Sequence, residues 1–394
     1  MTRTNALITP SVIQWARERA GYSLANAAEK FKISEEDLQA WEAGTKSPSI
    51  PQARKASEIY KRSLAVFFLP EPPKDFKTLR DFRTLPEGYP SEYSPELSFL
   101  IRNMHVRQEW MREYLINEGT EPLSFLSKIS KPITLKNLTD AILNTLDISP
   151  NEQINCKTRT EALKLWIDKV EAVGIYIIRE KKIDPKEARG LILCDDYAPF
   201  IFLNGEDAVA AQLFTLAHEL AHLWINQSGL SNLEPIGRVK NEKISKIETF
   251  CNKVASSLIL ANSSFNHKLS TLDSNLSTEE KIESLSKIFQ VSEETIARRF
   301  LEKNLISDME YLTLRRKYQE RWIEFKKNER QKMKDKKRGP SYYVKKYYNG
   351  YAFTHTVVDA YFSGTITARD ASGLLDIKVN NIKKLADVAG IVFL

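Results

Sequence analysis

The stretch "FTLAHELAHLW", Phe214 to Trp224, constrains this chain more than any other. It is as apolar as a helix enclosed on every side, yet it carries two of the five histidines, four residues apart, and a glutamate directly after the first. On an α-helix, residues four apart differ by about 40° in azimuth, so His218 and His222 project from one face and can grip one ion. Glu219, about 100° away, borders that face. A fold for this sequence must therefore wrap apolar neighbours around the helix while giving the imidazoles and the carboxylate polar company. Two core histidines satisfied by backbone alone would need hydrogen-bond partners for four ring nitrogens in an apolar helix.

The spacing is HExxH, in which two imidazoles hold zinc and the carboxylate is placed to take a proton from water. A catalytic zinc needs a third protein ligand and one open position. The extended form of the motif puts a third histidine six residues after the second, where this chain has Ser228, and the next histidine, His267, is too far along. The remaining candidates are Glu234, Glu242 and Glu248. Glu234 and Glu242 fall in the polar, loop-like "SNLEPIGRVKNEK". In "KISKIETFCNKVASSLILA", by contrast, Glu248 sits on an apolar stripe of Ile244, Ile247, Cys251, Val254 or Ala255, and Leu258. A carboxylate on a buried stripe is costly unless paired or bound to metal. Glu248 is therefore the expected third ligand, Zn2+ the expected cofactor and Glu219 the expected general base.

Upstream of this helix the hydrophobic period changes. "VGIYIIRE", "RGLILCDD" and "PFIFLNG" are short apolar runs bounded by Gly, Asp and Pro, which predicts a small sheet of about three strands. Helices are expected from about Pro95 to Gly119, near Leu135 to Leu146 and over Arg159 to Val173. The expected class is mainly α with a small β-sheet, α+β. Five regions follow: a helix-turn-helix domain over 1–70, a proline-rich connector over 71–94, a zincin-like domain around the HExxH helix over 95–310, a basic helix or linker over 311–340, and a small helical C-terminal domain over 341–394. In that last region "TITARDASGLLDIKVNNIKKLADVAG" reads as two short helices around a turn near Ile377, a small helical cap or a second helix-turn-helix.

At the other end, "SLANAAEKFKISEEDLQAWEAGTKSPS" places a cap at Ser23, a short helix from Leu24 to Phe31, a turn over Lys32 and Ile33, and a second cap at Ser34 with Asp37 three residues on. This is helix-turn-helix spacing. Through Ala28, Ile33, the "WEAG" of Trp41 to Gly44, and Pro48, the segment resembles the XRE-type (Cro/repressor-like) helix-turn-helix family. In that family the residues opening the second helix enter the major groove. Here those residues are Glu35, Glu36 and Asp37, three acids that repel phosphate, which favours a structural or partner-recognition role over specific DNA binding.

The formal charge is +7, but it is not evenly spread. Between Arg315 and Lys346 stand fourteen Lys or Arg against four Asp or Glu, a net of +10, so the rest of the chain is slightly acidic. The run ending in Lys336, Lys337 and Arg338 is either a charged linker or a patch for nucleic acid or an acidic partner. Cys156, Cys194 and Cys251 form no CxxC pair and read as buried thiols rather than a disulfide framework or a cysteine-zinc site. The N-terminus has no apolar core of signal-peptide length, and no apolar run approaches the ~20 residues needed to span a bilayer, so the expectation is a cytoplasmic protein without a membrane partner.

"RGLIL", "PFIFLN" and "AAQLFTLAHELAHLW", followed by "ETFCNKVASSLIL", resemble the ImmA/IrrE family of metallo-endopeptidases, as do "LRDFRTLP" and "VSEETIARRFLEKNLIS" on either side. The resemblance maps the family's zinc ligands onto His218, His222 and Glu248, and its catalytic glutamate onto Glu219. Where the family usually has a proline after the last helix motif, this chain has Ala261. The resemblance implies a regulatory protease that cleaves a helix-turn-helix repressor or related protein in a phage, mobile-element, toxin-antitoxin or stress-response circuit. The alternative is a DNA-binding regulator or antitoxin whose metal site is vestigial or idle.

Overall fold

The computed structural model describes residues 5–73, 80–81, 93–126, 133–226, 229–231, 242–333 and 341–391. The chain divides into two compact units, one of Met1–Leu79 with Leu85–Arg107 and the other of Arg80–Thr84 with Gln108–Leu394. The secondary structure is mainly α with one small sheet, an α+β composition. Among the described residues no helix is long and apolar enough to cross a membrane.

The first unit contains α1 (Pro10–Arg19), α2 (Leu24–Phe31), α3 (Glu35–Glu42), α4 (Ile50–Ile59) and the first part of α5 (Pro95–Asn117). Ser23 Oγ accepts from the N–H of Asn26 at 3.2 Å, and Ser34 Oγ from that of Asp37 at 3.1 Å, so both serines cap the helices that follow them. Lys32 between them takes the left-handed conformation. Each residue of "WEAG" that matters has a separate physical job. Trp41 packs edge-on against Phe31 in the core, Glu42 accepts two hydrogen bonds from the Arg17 guanidinium at 2.7 and 2.9 Å, and Gly44 turns the chain at φ +75°.

The second unit is built on a mixed sheet with strand order β1-β5-β3-β4-β2: β1 (Arg80–Asp81), β2 (Tyr176–Glu180), β3 (Gly190–Leu193), β4 (Phe200–Asn204) and β5 (Gly229–Ser231). The three strands expected from the sequence are there, and the two- and three-residue strands β1 and β5 extend the sheet beyond β3. β4 pairs in parallel with β2, Ile177 opposite Ile201, and antiparallel with β3, Ile192 opposite Ile201.

Every residue of β3 and β4 is buried, because both faces of the sheet are covered. Alternation assigns the faces. Ile177, Ile192, Ile201 and Leu203 join the main core with α8 (Arg159–Ala172) and α9 (Val209–Trp224), after α6 (Leu135–Leu146) and the short α7 (Pro150–Ile154). Phe200 instead meets Phe353 of the C-terminal helices edge-on at 5.7 Å.

α10 (Glu242–Ile259) packs along α9. It is followed by α11 (Asn262–Ser270), α12 (Thr278–Ile288), α13 (Glu293–Glu302) and the 26-residue basic helix α14 (Asp308–Met333). Four helices close the chain: α15 (Ser341–Asn349), α16 (Tyr351–Phe362), α17 (Ala368–Leu375) and α18 (Ile382–Ala389). The expected pair around Ile377 corresponds to α17 and α18, and α15 and α16 precede it. Of the cysteines only Cys251 is fully buried; Cys156 and Cys194 are half-buried, and none of the three is in a disulfide.

Candidate metal centre

α9 is apolar all round because it is enclosed all round. His218 and Glu219 are 0% exposed and His222 is 1% exposed. α10 lies against it and brings Glu248 across, with its side chain 14% exposed. The Nε2 atoms of His218 and His222 face each other at 3.0 Å. Oε2 of Glu248 lies 3.3 Å from Nε2 of His218, and Oε1 lies 3.0 Å from Nε2 of His222.

Three electron-pair donors thus converge on one point. Ligand atoms about 2.0–2.1 Å from a tetrahedrally bound zinc stand roughly 3.3 Å from one another, so the triangle has the dimensions of one face of such a site. Burial alone would push the Glu248 carboxyl up, but the two imidazoles hold it well below the usual carboxylate range, which makes it a charged donor. Nδ1 of His218 is buried with no hydrogen-bond partner among the described residues. Two imidazoles and a carboxylate, nearly closed off from water, could hold a divalent metal.

The framework behind this cluster is polar and specific. Arg299 on α13 donates through Nη2 to the carbonyls of Ser256 and Leu260 at 2.7 and 2.9 Å, tying down the C-terminal end of α10. Gln153 donates to the carbonyls of Ile259 and Phe289 and accepts from Nε1 of Trp166, which links the same helix end to α8. Ala261, in place of the family's proline, is the N-cap of α11, so the segment leaves α10 without one.

Of the expected site residues, His218, His222 and Glu248 are brought together, and Glu219 lies on the same buried helix beside them. Glu242, expected in a loop, is instead the first residue of α10. The opening turn of that helix reads as loop because its residues before Ile244 are polar, with no apolar residue among them. His267 is exposed on α11, outside the cluster. Glu234, Ser228, Lys336, Lys337 and Arg338 lie outside the described residues.

Sequence reasoning missed two residues at this centre. Gly190 opens β3 directly against Glu219: a Cβ there would come within 2.2 Å of Oε1 of Glu219 and 2.6 Å of Cγ2 of Thr215. The signal was a glycine at a strand start, which marks close approach by another group. Cys251, one turn after Glu248, is the other. Burial pushes its thiol well above the ordinary value, and the Glu248 and Glu219 carboxylates add to this, so it stands by as a neutral wall.

Fold and site together define a helix-turn-helix module followed by an α+β domain with a buried His-His-Glu cluster. The comparisons with known families agree with both halves. Residues 170–301 match the peptidase family model described as the IrrE N-terminal-like domain, and residues 13–67 match the model described as helix-turn-helix. No curated protein matches the chain. The two matches follow one another along the chain, the helix-turn-helix model first and the peptidase family's domain model second.

Proposed function

We propose that the protein is a zinc-dependent endopeptidase of a regulatory switch, with a repressor-like DNA-binding protein as its substrate. The observation that carries this is the triangle of donors from His218, His222 and Glu248 with Glu219 buried beside it. These three residues would hold the ion. When bound, zinc supplies Lewis-acid chemistry, lowering the pKa of water toward ~7 and polarising a carbonyl. Glu219 takes the proton from the attacking water and delivers it to the leaving amine nitrogen, so one carboxylate serves as base and then acid. Gly190 leaves the space in which that carboxylate stands.

The helix-turn-helix module serves partner recognition in this scheme. Glu35 and Glu36 are exposed on the first turn of α3, and Asp37 pairs with Lys46 at 2.6 Å, so the helix that would enter a groove presents acids. The substrate class rests on the pairing of this module with the peptidase-family match and on the ImmA/IrrE resemblance.

The test is Glu219→Gln, assayed for zinc content and for cleavage of a quenched-fluorescent peptide library. Retained zinc with cleavage abolished is the expected result. Cleavage at the wild-type rate would remove Glu219 from the chemistry.

A further inference from the structure

The turn between α17 and α18 repeats, residue for residue, the turn between α2 and α3. Thr367 Oγ1 accepts from the N–H of Asp370 at 3.2 Å and caps α17 as Ser23 caps α2, and both capped helices are eight residues long. Each ends on a non-glycine residue in the left-handed conformation, Asp376 at φ +51° and Lys32 at φ +60°. The next residue then turns its N–H back onto the helix, Ile377 to the carbonyl of Ser372 at 3.1 Å and Ile33 to that of Ala28 at 3.2 Å. Burial keeps the same register: Ala371, Leu375, Ile382 and Leu385 are buried where Ala27, Phe31, Leu38 and Trp41 are. α16 packs against both α17 and α18 and completes a three-helix unit.

The register also identifies the residues that stand where a recognition helix meets its ligand. Glu35, Glu36 and Asp37 correspond to Val379, Asn380 and Asn381, a single 3-10 turn that leads into α18. Gln39 and Ala40 correspond to Lys383 and Lys384. Lys378, Val379, Asn380, Lys383 and Lys384 are all exposed. Where the N-terminal segment presents acids, this one presents lysines, amides and an apolar side chain. The nearby acids are engaged: Asp376 pairs with Lys345, and Asp370 accepts from the Thr367 hydroxyl at 2.6 Å. Asp387, the one acid in the sequence of α18, comes a full turn after Lys383.

We propose that α17 and α18 form a second helix-turn-helix that binds double-stranded DNA, with α18 in the major groove. Lys378, Lys383 and Lys384 contact phosphate, and Asn380 and Val379 face base edges, where an amide suits adenine and an apolar side chain the methyl group of thymine. DNA is favoured over duplex RNA because the A-form major groove is too deep and narrow to be read by side chains. The face shares no residue with the cluster on α9, so it stands or falls independently of the zinc assignment.

The probe is a fluorescein-labelled DNA duplex of random sequence, about 30 base pairs long, bound to full-length protein and followed by anisotropy between about 50 and about 200 mM NaCl. Selection from the same random pool supplies the preferred sequence. Binding that weakens as salt rises is expected, and Lys383→Gln combined with Lys384→Gln should reduce the slope of log affinity against log salt by about 2. Asn380→Ala should bind the random duplex as wild type does but lose at least about fivefold in affinity for the selected sequence. Gln39→Ala, at the corresponding face of α3, should change neither. All four side chains are exposed, so the fold, monitored by circular dichroism, is kept. Absence of salt-dependent binding, a selection that enriches no sequence, an unchanged slope in the double lysine variant, equal or tighter binding of the matching RNA duplex, or wild-type affinity of Asn380→Ala for the selected sequence would each overturn the proposal.

Discussion

Gly190→Ala separates the role proposed for Glu219 from that proposed for His218, His222 and Glu248. The new Cβ would lie 2.2 Å from Oε1 of Glu219, whereas ordinary contact begins at 3.4 Å, so the carboxylate must retreat by about 1.2 Å, the difference of the two. β3 cannot easily yield instead, because Gly190 is paired with Leu203 of β4 on one side and Ser231 of β5 on the other. The same Cβ would also lie 2.6 Å from Cγ2 of Thr215, so a second side chain of α9 must give way with it. The backbone of Gly190 is not in the left-handed region, so the cost is one of space and not of conformation. A displacement of about 1 Å at a reacting group costs on the order of 100-fold in rate, or about 2.7 kcal/mol of barrier. The best-cut member of the peptide library serves as reporter, and zinc content and melting temperature are measured on the same preparations. A rate about 100-fold lower at unchanged zinc content is expected. A wild-type rate per bound zinc would refute the steric reasoning and, with it, the placement of Glu219 at the reacting atoms.

Arg299→Met should destabilise the second unit by about 1–3 kcal/mol in urea denaturation, since it removes the donor to the Leu260 carbonyl and one of the two donors to that of Ser256, which keeps the Leu260 N–H; unchanged stability would show that α10 needs no such tether. Burial raises the carboxyl of Glu171 to about 7, against the opposing pull of the Ala352 and Tyr351 N–H groups. The folded state therefore holds this proton more tightly than the unfolded chain. Its contribution, about 3 kcal/mol, is fully present below pH 4.5 and lost as the pH rises to about 7. Wild type should accordingly lose stability relative to Glu171→Gln between pH 5 and pH 8, and parallel profiles would contradict the assignment.

What was legible in the sequence was local. The His218–His222 face, the caps at Ser23 and Ser34 and the apolar stripe beneath Glu248 each depend on residues a few positions apart, so periodicity and spacing expose them. What was not legible depends on distant partners or on too few residues. The strands Arg80–Asp81 and Gly229–Ser231 are too short to show alternation; Gly229–Ser231 pairs with the edge of β3 and Arg80–Asp81 pairs in turn with it. The approach of Gly190 to Glu219 joins a strand to a helix that follows it 29 residues on in the chain, and composition carries no trace of it. Glu171 caps α16 across a separation of 180 residues, which is why the C-terminal helices could be read only as a loose cap. In "SYYVKKYYNGYAFTHTVVDAYF" aromatic residues crowd every face, so α15 and α16 show no apolar stripe that would mark them as two helices.

The claim on which the rest depends is that His218, His222 and Glu248 hold one zinc ion. It is tested by metal analysis of the purified protein, wild type beside Glu248→Ala, combined with thermal unfolding before and after chelation. Free zinc at about 1000 times its dissociation constant contributes about 4 kcal/mol to the folded state, a melting shift on the order of 10 °C. Wild type should carry one zinc per chain and lose that increment on chelation. Glu248→Ala should carry much less zinc, melt lower from the outset and respond little to the chelator, while Glu242→Ala and Glu234→Ala behave as wild type. Wild-type protein without metal, or Glu248→Ala with a full complement of zinc while Glu242→Ala loses it, would contradict the account.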